Sequence, residues 1–327
     1  MTPGSRACRG PRAGQRGMAV VAALIVVALV AVIAAGVAVR QAAFMRMVQG
    51  DQSRVRAQWL ARDGVAQAMA VLREDAARNP LTRLDGEWAR PLRAVRSTDR
   101  ATGEVVLRIE DEQGKFNLRN LVRTGKVDAD EVAAFLRLCR ELGVKQDVAD
   151  RIVGRVVASV ALQRPHGGED AGDAADPADV PVALAVARQP LPRTLDDLGT
   201  LAGVDAGVLA RLRPYVTVLP ENTWINGNTA SAEVIGAGVP GLTPERAREV
   251  LQERDRGRWF VNRSDFINRL RLRDLPVDEL RVTIVSQWFQ VSGTVAVDGA
   301  QVPVQALVRR SVRAGREPQL VWLRMGA

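Results

Sequence analysis

Met18–Val39 reads MAVVAALIVVALVAVIAAGVAV, 22 residues without a charge or a strongly polar side chain. As a helix rising ~1.5 Å per residue this run spans about 33 Å, one crossing of a hydrocarbon layer. A secretory signal has a shorter apolar core of about 7 to 15 residues followed by a small-residue cleavage site, so cleavage beyond this run is not expected. The span is therefore expected to stay attached to the finished chain. Residues 1–17, with Arg6, Arg9, Arg12 and Arg16 and no acid, form a basic leader. Positive charge stays on the cytoplasmic side, which orients the span, although Arg40 and Arg46 beyond it reduce the asymmetry.

At 327 residues and 47% hydrophobic composition the chain has material for a membrane helix and more than one compact unit. Its formal charge of +9 is essentially arginine, since Lys115, Lys126 and Lys145 are the only lysines, and losing the four leader arginines would bring it to +5. Spread thinly, such a charge is weak reason to expect a nucleic-acid partner. Cys8 and Cys139 cannot make a disulfide framework, and Cys139 falls on the apolar face of a predicted helix as a small buried hydrophobe.

Outward from the span, residues 40–78 keep a helical composition up to a stop at Asn79-Pro80, with Phe44, Val48, Val55, Trp59, Ala66, Met69 and Leu72 among the apolar positions and Gly64 as a weak point. After a polar loop, Glu104–Glu110 alternates as a strand, and Asp111-Glu112-Gln113-Gly114 is a turn signal. Strand signal resumes at Val282–Ser292, Thr294–Val297, Val302–Arg310 and Gln319–Arg324, with a hairpin at Asp298-Gly299. The expected fold class is α+β: a long N-terminal transmembrane and amphipathic helix, an antiparallel sheet split in sequence, and an all-α insertion within it. The expected partition is 1–17 leader, 18–39 span, 40–116 helix extension and first strand, 117–280 insertion, and 281–327 closing strands.

Within the insertion, Val132, Phe135, Leu136, Cys139 and Leu142 recur at helical spacing before Gly143, and a second helix is read over Gln146–Leu162. The loop Pro165–Asp179 holds Glu169, Asp170 and Asp173, readable as a solvated acidic loop or as calcium ligands; the EF-hand spacing is absent. Two later segments, Leu195–Leu212 and Asn228–Leu251, each read as helix, Gly-containing turn, helix. The second resembles helix-hairpin-helix modules, with Thr243 where a second turn glycine would stand. Arg246, Arg248, Arg254, Arg256 and Arg258 interleave with Glu245, Glu249, Glu253 and Asp255, the pattern of a salt-bridged surface. Catalysis finds little support: His166 is the only histidine and lies in a Gly-rich loop, no phosphate-binding Gly motif follows a strand, and the adjacent Asp196 and Asp197 diverge on a helix.

The junction Gln15-Arg16-Gly17-Met18-Ala19 resembles the processing site of type IV pilin-like proteins, whose prepilin peptidase cuts after that glycine on the cytoplasmic side. Most such subunits have glutamate at the fifth mature position to neutralise a neighbour's amino terminus; here that position is Ala22, which suits a subunit with nothing beyond it to neutralise. RGMAVVAALIVVALV, DEQGKFNLRNLV, LPRTLDDLGTLAGVD, LARLRPYVTVLP and INGNTASAEVI, in that order, resemble the type II secretion system protein K family. One departure is Val157-Ala158-Ser159-Val160, where family members often have a Trp-Asp-containing segment. The resemblance implies a pilin-like sheet with a large inserted domain of helix-hairpin-helix or SAM-like units. It also implies a place at the tip of a short periplasmic pseudopilus beside two other minor pseudopilins, of I and J type, with single-pass inner-membrane anchoring, no nucleic-acid or small-molecule partner, and no cofactor unless calcium. Other readings are a membrane-anchored, competence-type DNA-binding protein and a type IV pilus tip subunit.

Overall fold

The structure is a computed structural model that describes residues 15–98, 101–160, 162–163, 184–185, 187–272, 280–311 and 316–326. Helix α1 runs unbroken over Gln15–Arg78. Its first half, from Val20 on, is exposed on every side, as an apolar rod must be when its solvent is lipid. Burial begins at Ser53 and follows Ala57, Ala61, Val65, Ala68 and Leu72 at helical spacing. Of the apolar positions noted in the sequence, Phe44, Val55, Trp59 and Ala66 are exposed, while Leu72 is buried. Small side chains win the inner face because they let helix and sheet approach closely. Gly64 belongs to that approach and is no weak point, since a Cβ there would stand 2.8 Å from Leu107 Cδ1 and 2.9 Å from Val105 Cγ1. The helix ends where Asn79 donates its backbone N–H and side-chain amide to Asp75, and Pro80 follows.

The sheet has five antiparallel strands in chain order: β1 Leu92–Thr98, β2 Ala101–Asp111, β3 Trp288–Val297, β4 Ala300–Arg309 and β5 Gln319–Met325. Strand β1 replaces part of the expected polar loop, because its pairing to β2 supplies the order that its own alternation does not. Alternate residues of the central strands, among them Val105, Leu107, Ile109, Val291, Val295, Val304 and Val308, form one core with α1. The β3–β4 hairpin turns through Asp298 (φ 47°) and Gly299 (φ 82°), as the two-residue turn signal expects. The expected break between Ser292 and Thr294 is absent, and β3 runs through Gly293. A Cβ at Gly293 would sit 2.0 Å from Val106 O, a collision with backbone. Gly293→Ala is expected to destabilise the chain by about 3 kcal/mol or more, read as a lowered denaturation midpoint.

The insertion leaves the sheet at the end of β2 and returns at β3. It holds α2 Ala129–Glu141, α3 Gln146–Val157, a 3-10 segment Leu195–Thr200, α4 Ala206–Leu212, α5 Ala232–Gly238, α6 Pro244–Asp255 and α7 Arg263–Leu270. Side-chain caps start five of these helices: Asp128, Asp205, Ser231, Thr243 and Asn262 each accept a backbone N–H of the following turn. Helix α3 stops five residues before the expected Leu162, where the Ser159 hydroxyl bonds back to Val156 O, and Leu162–Gln163 pairs with Leu184–Ala185 instead. Leu195–Thr200 is 3-10 rather than α, held by reciprocal Thr194 and Asp197 capping. Val282–Thr283 pairs in parallel with Ile225–Asn226 inside the insertion and does not begin the closing sheet.

Two apolar cores result, one around Phe116, Phe135, Leu138, Ile152 and Leu212, the other around Ile235, Val250, Phe260 and Phe266. Cys139 lies in the first, 1% exposed, and desolvation pushes its thiol up to about 12. At pH 8 about one in ten thousand such thiols is ionised, so Cys139 is expected to resist alkylation until the chain is unfolded, by mass spectrometry.

Candidate assembly site

Nothing in the described residues resembles a reaction centre, and the features that bear on function are an uncovered helix and a buried polar joint. Gly17 and Met18 lie in the first turns of α1, and Ala22 is exposed on the rod. Beyond the apolar run, Phe44, Met45, Met47, Val55 and Trp59 remain exposed, Trp59 at 66% with Arg62 stacked over its ring. A contiguous apolar surface of this kind marks lipid or protein contact. Among the described residues no group of three or more His, Cys, Asp or Glu side chains is placed to hold a metal ion. The calcium candidates Glu169, Asp170 and Asp173 lie outside the described residues, as does His166.

The joint gathers the end of α1, the loop after it, the ends of β2 and β4, and two strands of the insertion. Arg310 Nη1 meets Asp75 Oδ2 at 2.8 Å, with the two side chains 4% and 2% exposed. Arg310 Nη2 donates to Thr82 Oγ1 and Ser286 O at 2.6 and 3.0 Å, and its guanidinium lies over the Phe289 ring. Asp111 accepts from Ser286 Oγ and Thr229 Oγ1, each at 2.6 Å, from Asn226 Nδ2 at 3.2 Å and from the Gln113 N–H at 2.9 Å. Burial pushes the Asp111 carboxyl above the ordinary carboxylate range, while those hydrogen bonds and Arg310 pull it back. Asn226 also donates to Thr82 O and Ser286 Oγ. A second layer substitutes side-chain amides for strand pairing: Asn117 and Asn120 bracket the backbone of residues 219–223, and Asn228 does the same for Phe260. Buried polar groups satisfied this fully fix one orientation, because a shifted joint would leave several unpaired.

The stretches Asp111–Val122 and Ile225–Ile235 thus face each other across the joint. The sequence alone did not point to Asp75, Thr82 or Arg310, whose burial only the fold reveals.

The helix-hairpin-helix-like segment forms α5, a turn at Gly241 (φ 75°) and α6. Its arginines are largely committed: Arg246 to Glu249, Arg248 to Glu245, and Arg258 to Glu253. Arg254 is 4% exposed and donates to Gly227 O and Ala230 O. Thr243 uses its hydroxyl to cap α6. A phosphate track needs free cations in a row, and this face instead interleaves both signs.

Family models described as type II secretion system protein K match residues 114–221 and 225–286. The type II secretion system protein K of Pseudomonas aeruginosa is 34% identical over 307 residues, covering 91% of this chain and 90% of its own. The chain belongs to the type II secretion system protein K family. The protein K of Klebsiella pneumoniae is 29% identical, covering 91% and 94% of the two chains. The fold matches a chain in the crystal structure of the GspK-GspI-GspJ complex from enterotoxigenic Escherichia coli, with a TM-score of 0.64 at 19% identity, over 86% of this chain and 99% of that one. As a protein K the chain is a minor pseudopilin of type II secretion, a structural component anchored by one apolar helix.

Proposed function

We propose that this protein K caps the pseudopilus: it sits at the tip, joins minor pseudopilins of the I and J type, and starts assembly of the fibre that supports export across the outer membrane. The observation that carries this reading is the insertion itself, which occupies the chain between Asp111 and Trp288 and is locked to the sheet by Asn226 and Thr229 on Asp111 and by Arg310 on Ser286 O. That is a whole domain's mass on one subunit. A close-packed shaft has no room for it, whereas an end does. In this reading residues 1–17 are removed by prepilin peptidase after Gly17, the span 18–39 stays in the inner membrane with its amino terminus cytoplasmic, and residues 40–327 are periplasmic. Residues 40–111 and 288–327 form the pilin-like unit, and 112–287 form the insertion, somewhat wider than the 117–280 expected. Ala22, in place of a carboxylate, is tolerated because no subunit lies beyond it.

The test is co-purification of the full chain with tagged I- and J-type minor pseudopilins from membranes of a strain expressing all three. A stoichiometric three-part complex is expected. Recovery of the I–J pair without this chain would contradict the reading.

A further inference from the structure

The apolar run ends at Val39, but the greasy surface of α1 does not. Ala42, Ala43, Phe44, Met45 and Met47 remain exposed over the next two turns, interrupted only by Arg40, Gln41 and Arg46. A run of about 33 Å tilted by ~20° matches a hydrocarbon layer of ~30 Å. Arg40 then stands at the edge of that layer and Arg46 about 10 Å beyond Val39 along the axis. Helix side chains lean toward the N-terminus, so Arg46 reaches back toward the headgroups, a layer of ~5 to 8 Å on each face of the bilayer. This placement needs only that the apolar helix anchors the chain, and it does not depend on a place at the tip.

Neither arginine has an answering charge. No acid precedes Asp51 in the chain, and Asp51, five residues after Arg46, points about 140° round the helix from it. Asp298 in the β3–β4 turn lines one recess with Arg46 and Arg56. Arg56 takes that carboxylate, at 3.4 Å. Among the described residues Arg40 and Arg46 make no ion pair and no hydrogen bond, and both are exposed. From Arg40 to Arg56 the helix carries four arginines against Asp51, and counting Asp298 still leaves a surplus of two positive charges. At the depth of Arg40 and Arg46 the available anions are lipid phosphates, whose oxygens match the paired N–H donors of a guanidinium.

We propose that Arg40 and Arg46, set in the apolar collar of Phe44, Met45 and Met47, bind the headgroup phosphates of anionic phospholipids in the leaflet from which α1 emerges. The experiment reconstitutes the full chain in vesicles of phosphatidylcholine and phosphatidylglycerol, at about 0.15 M salt, where exposed charges are screened beyond ~8 Å. A trace of either lipid carries a photoreactive headgroup, and cross-links are mapped by mass spectrometry. Residues 41–48 are expected to cross-link the phosphatidylglycerol probe about fivefold more than the phosphatidylcholine probe, the scale of one arginine at an anionic surface. Arg40→Gln with Arg46→Gln is expected to bring the two probes level. Arg54→Gln with Arg62→Gln removes the same charge from a stretch that begins about 12 Å beyond Arg46, and is expected to leave the preference unchanged. The proposal is overturned if the probes react alike with the unaltered chain, as they would if these arginines await a carboxylate of another subunit, or if the preference survives loss of Arg40 and Arg46. It is equally overturned if the Arg54 and Arg62 changes lower the preference as much, which would make it a diffuse field. Suppression of the cross-links by millimolar glycerol 3-phosphate would also overturn it, by making the site one for a free anion. None of these failures touches recovery of the three-part complex, so the two readings fail separately.

Discussion

Gly17→Val is expected to leave residues 1–17 on the chain, so that N-terminal sequencing of the membrane-bound protein finds the leader in place of a start at Met18. The effect is close to all-or-none, because a peptidase that must bring catalytic groups against the scissile backbone tolerates a Cβ poorly at that position. Retention matters physically for assembly. Arg6, Arg9, Arg12 and Arg16 all lie in the retained segment, and each arginine drawn to the bilayer centre costs about 2.5 to 3.5 kcal/mol. Lifting an unprocessed subunit out of the membrane into a fibre would have to overcome a penalty on the order of 10 kcal/mol. The Gly17→Val chain should therefore remain in the inner membrane and fail to enter a complex with other subunits. A Met18 start in the Gly17→Val chain would remove the glycine from its processing role.

Asp75→Ala is the second large effect. It leaves Arg310 buried at 4% exposure without its carboxylate, and losing one member of a buried pair costs about 3 to 5 kcal/mol. Among the described residues Asp75 is the only ion-pair partner of Arg310; Thr82 and Ser286 O offer neutral acceptors. Urea denaturation of the solubilised chain should show the unfolding free energy fall by that amount, read as a lowered midpoint at unchanged slope. Exchanging both partners for apolar residues, Asp75→Leu with Arg310→Met, should recover much of the loss, because it is the orphaned charge that is costly. If the double variant were as unstable as Asp75→Ala, the ion pair would be the smaller part of the joint and the hydrogen bonds to Thr82 and Ser286 the larger.

What could be read in advance follows from how local each signal is. The membrane rod was legible because hydrocarbon selects composition residue by residue, and Met18–Val39 has nothing else to satisfy. The Asp298-Gly299 turn was legible because positive φ at both positions restricts the residue types. The stop after Arg78 was legible because Pro80 cannot continue a helix, and the end of α2 because Gly143 takes the positive φ (68°) that a helix C-terminus favours. Strand β1 was not, because Arg93-Ala94-Val95 at a sheet edge owes its conformation to β2 rather than to its own pattern. The inner face of α1 was not legible, because close helix–sheet contact selects Gly64, Ala57, Ala61 and Ala68, which carry little apolar signal beside Phe44, Val55 and Trp59. Least legible was the joint. Asp75 and Arg310 are 235 residues apart, and no spacing rule relates them. Resemblance flagged Asp111–Val122 and Ile225–Ile235 as stretches, and only the fold shows that they hold one another.

In the proposed assembly the rod remains on the mature chain and carries the inserted domain at one end of a fibre. Electron microscopy of assembled pseudopili, with a gold-labelled tag placed after Gly299 in the β3–β4 turn, tests it most directly. A single label at one terminus of each fibre is the predicted result; labels distributed along the shaft, or fibres of normal length and number lacking any label, would contradict it.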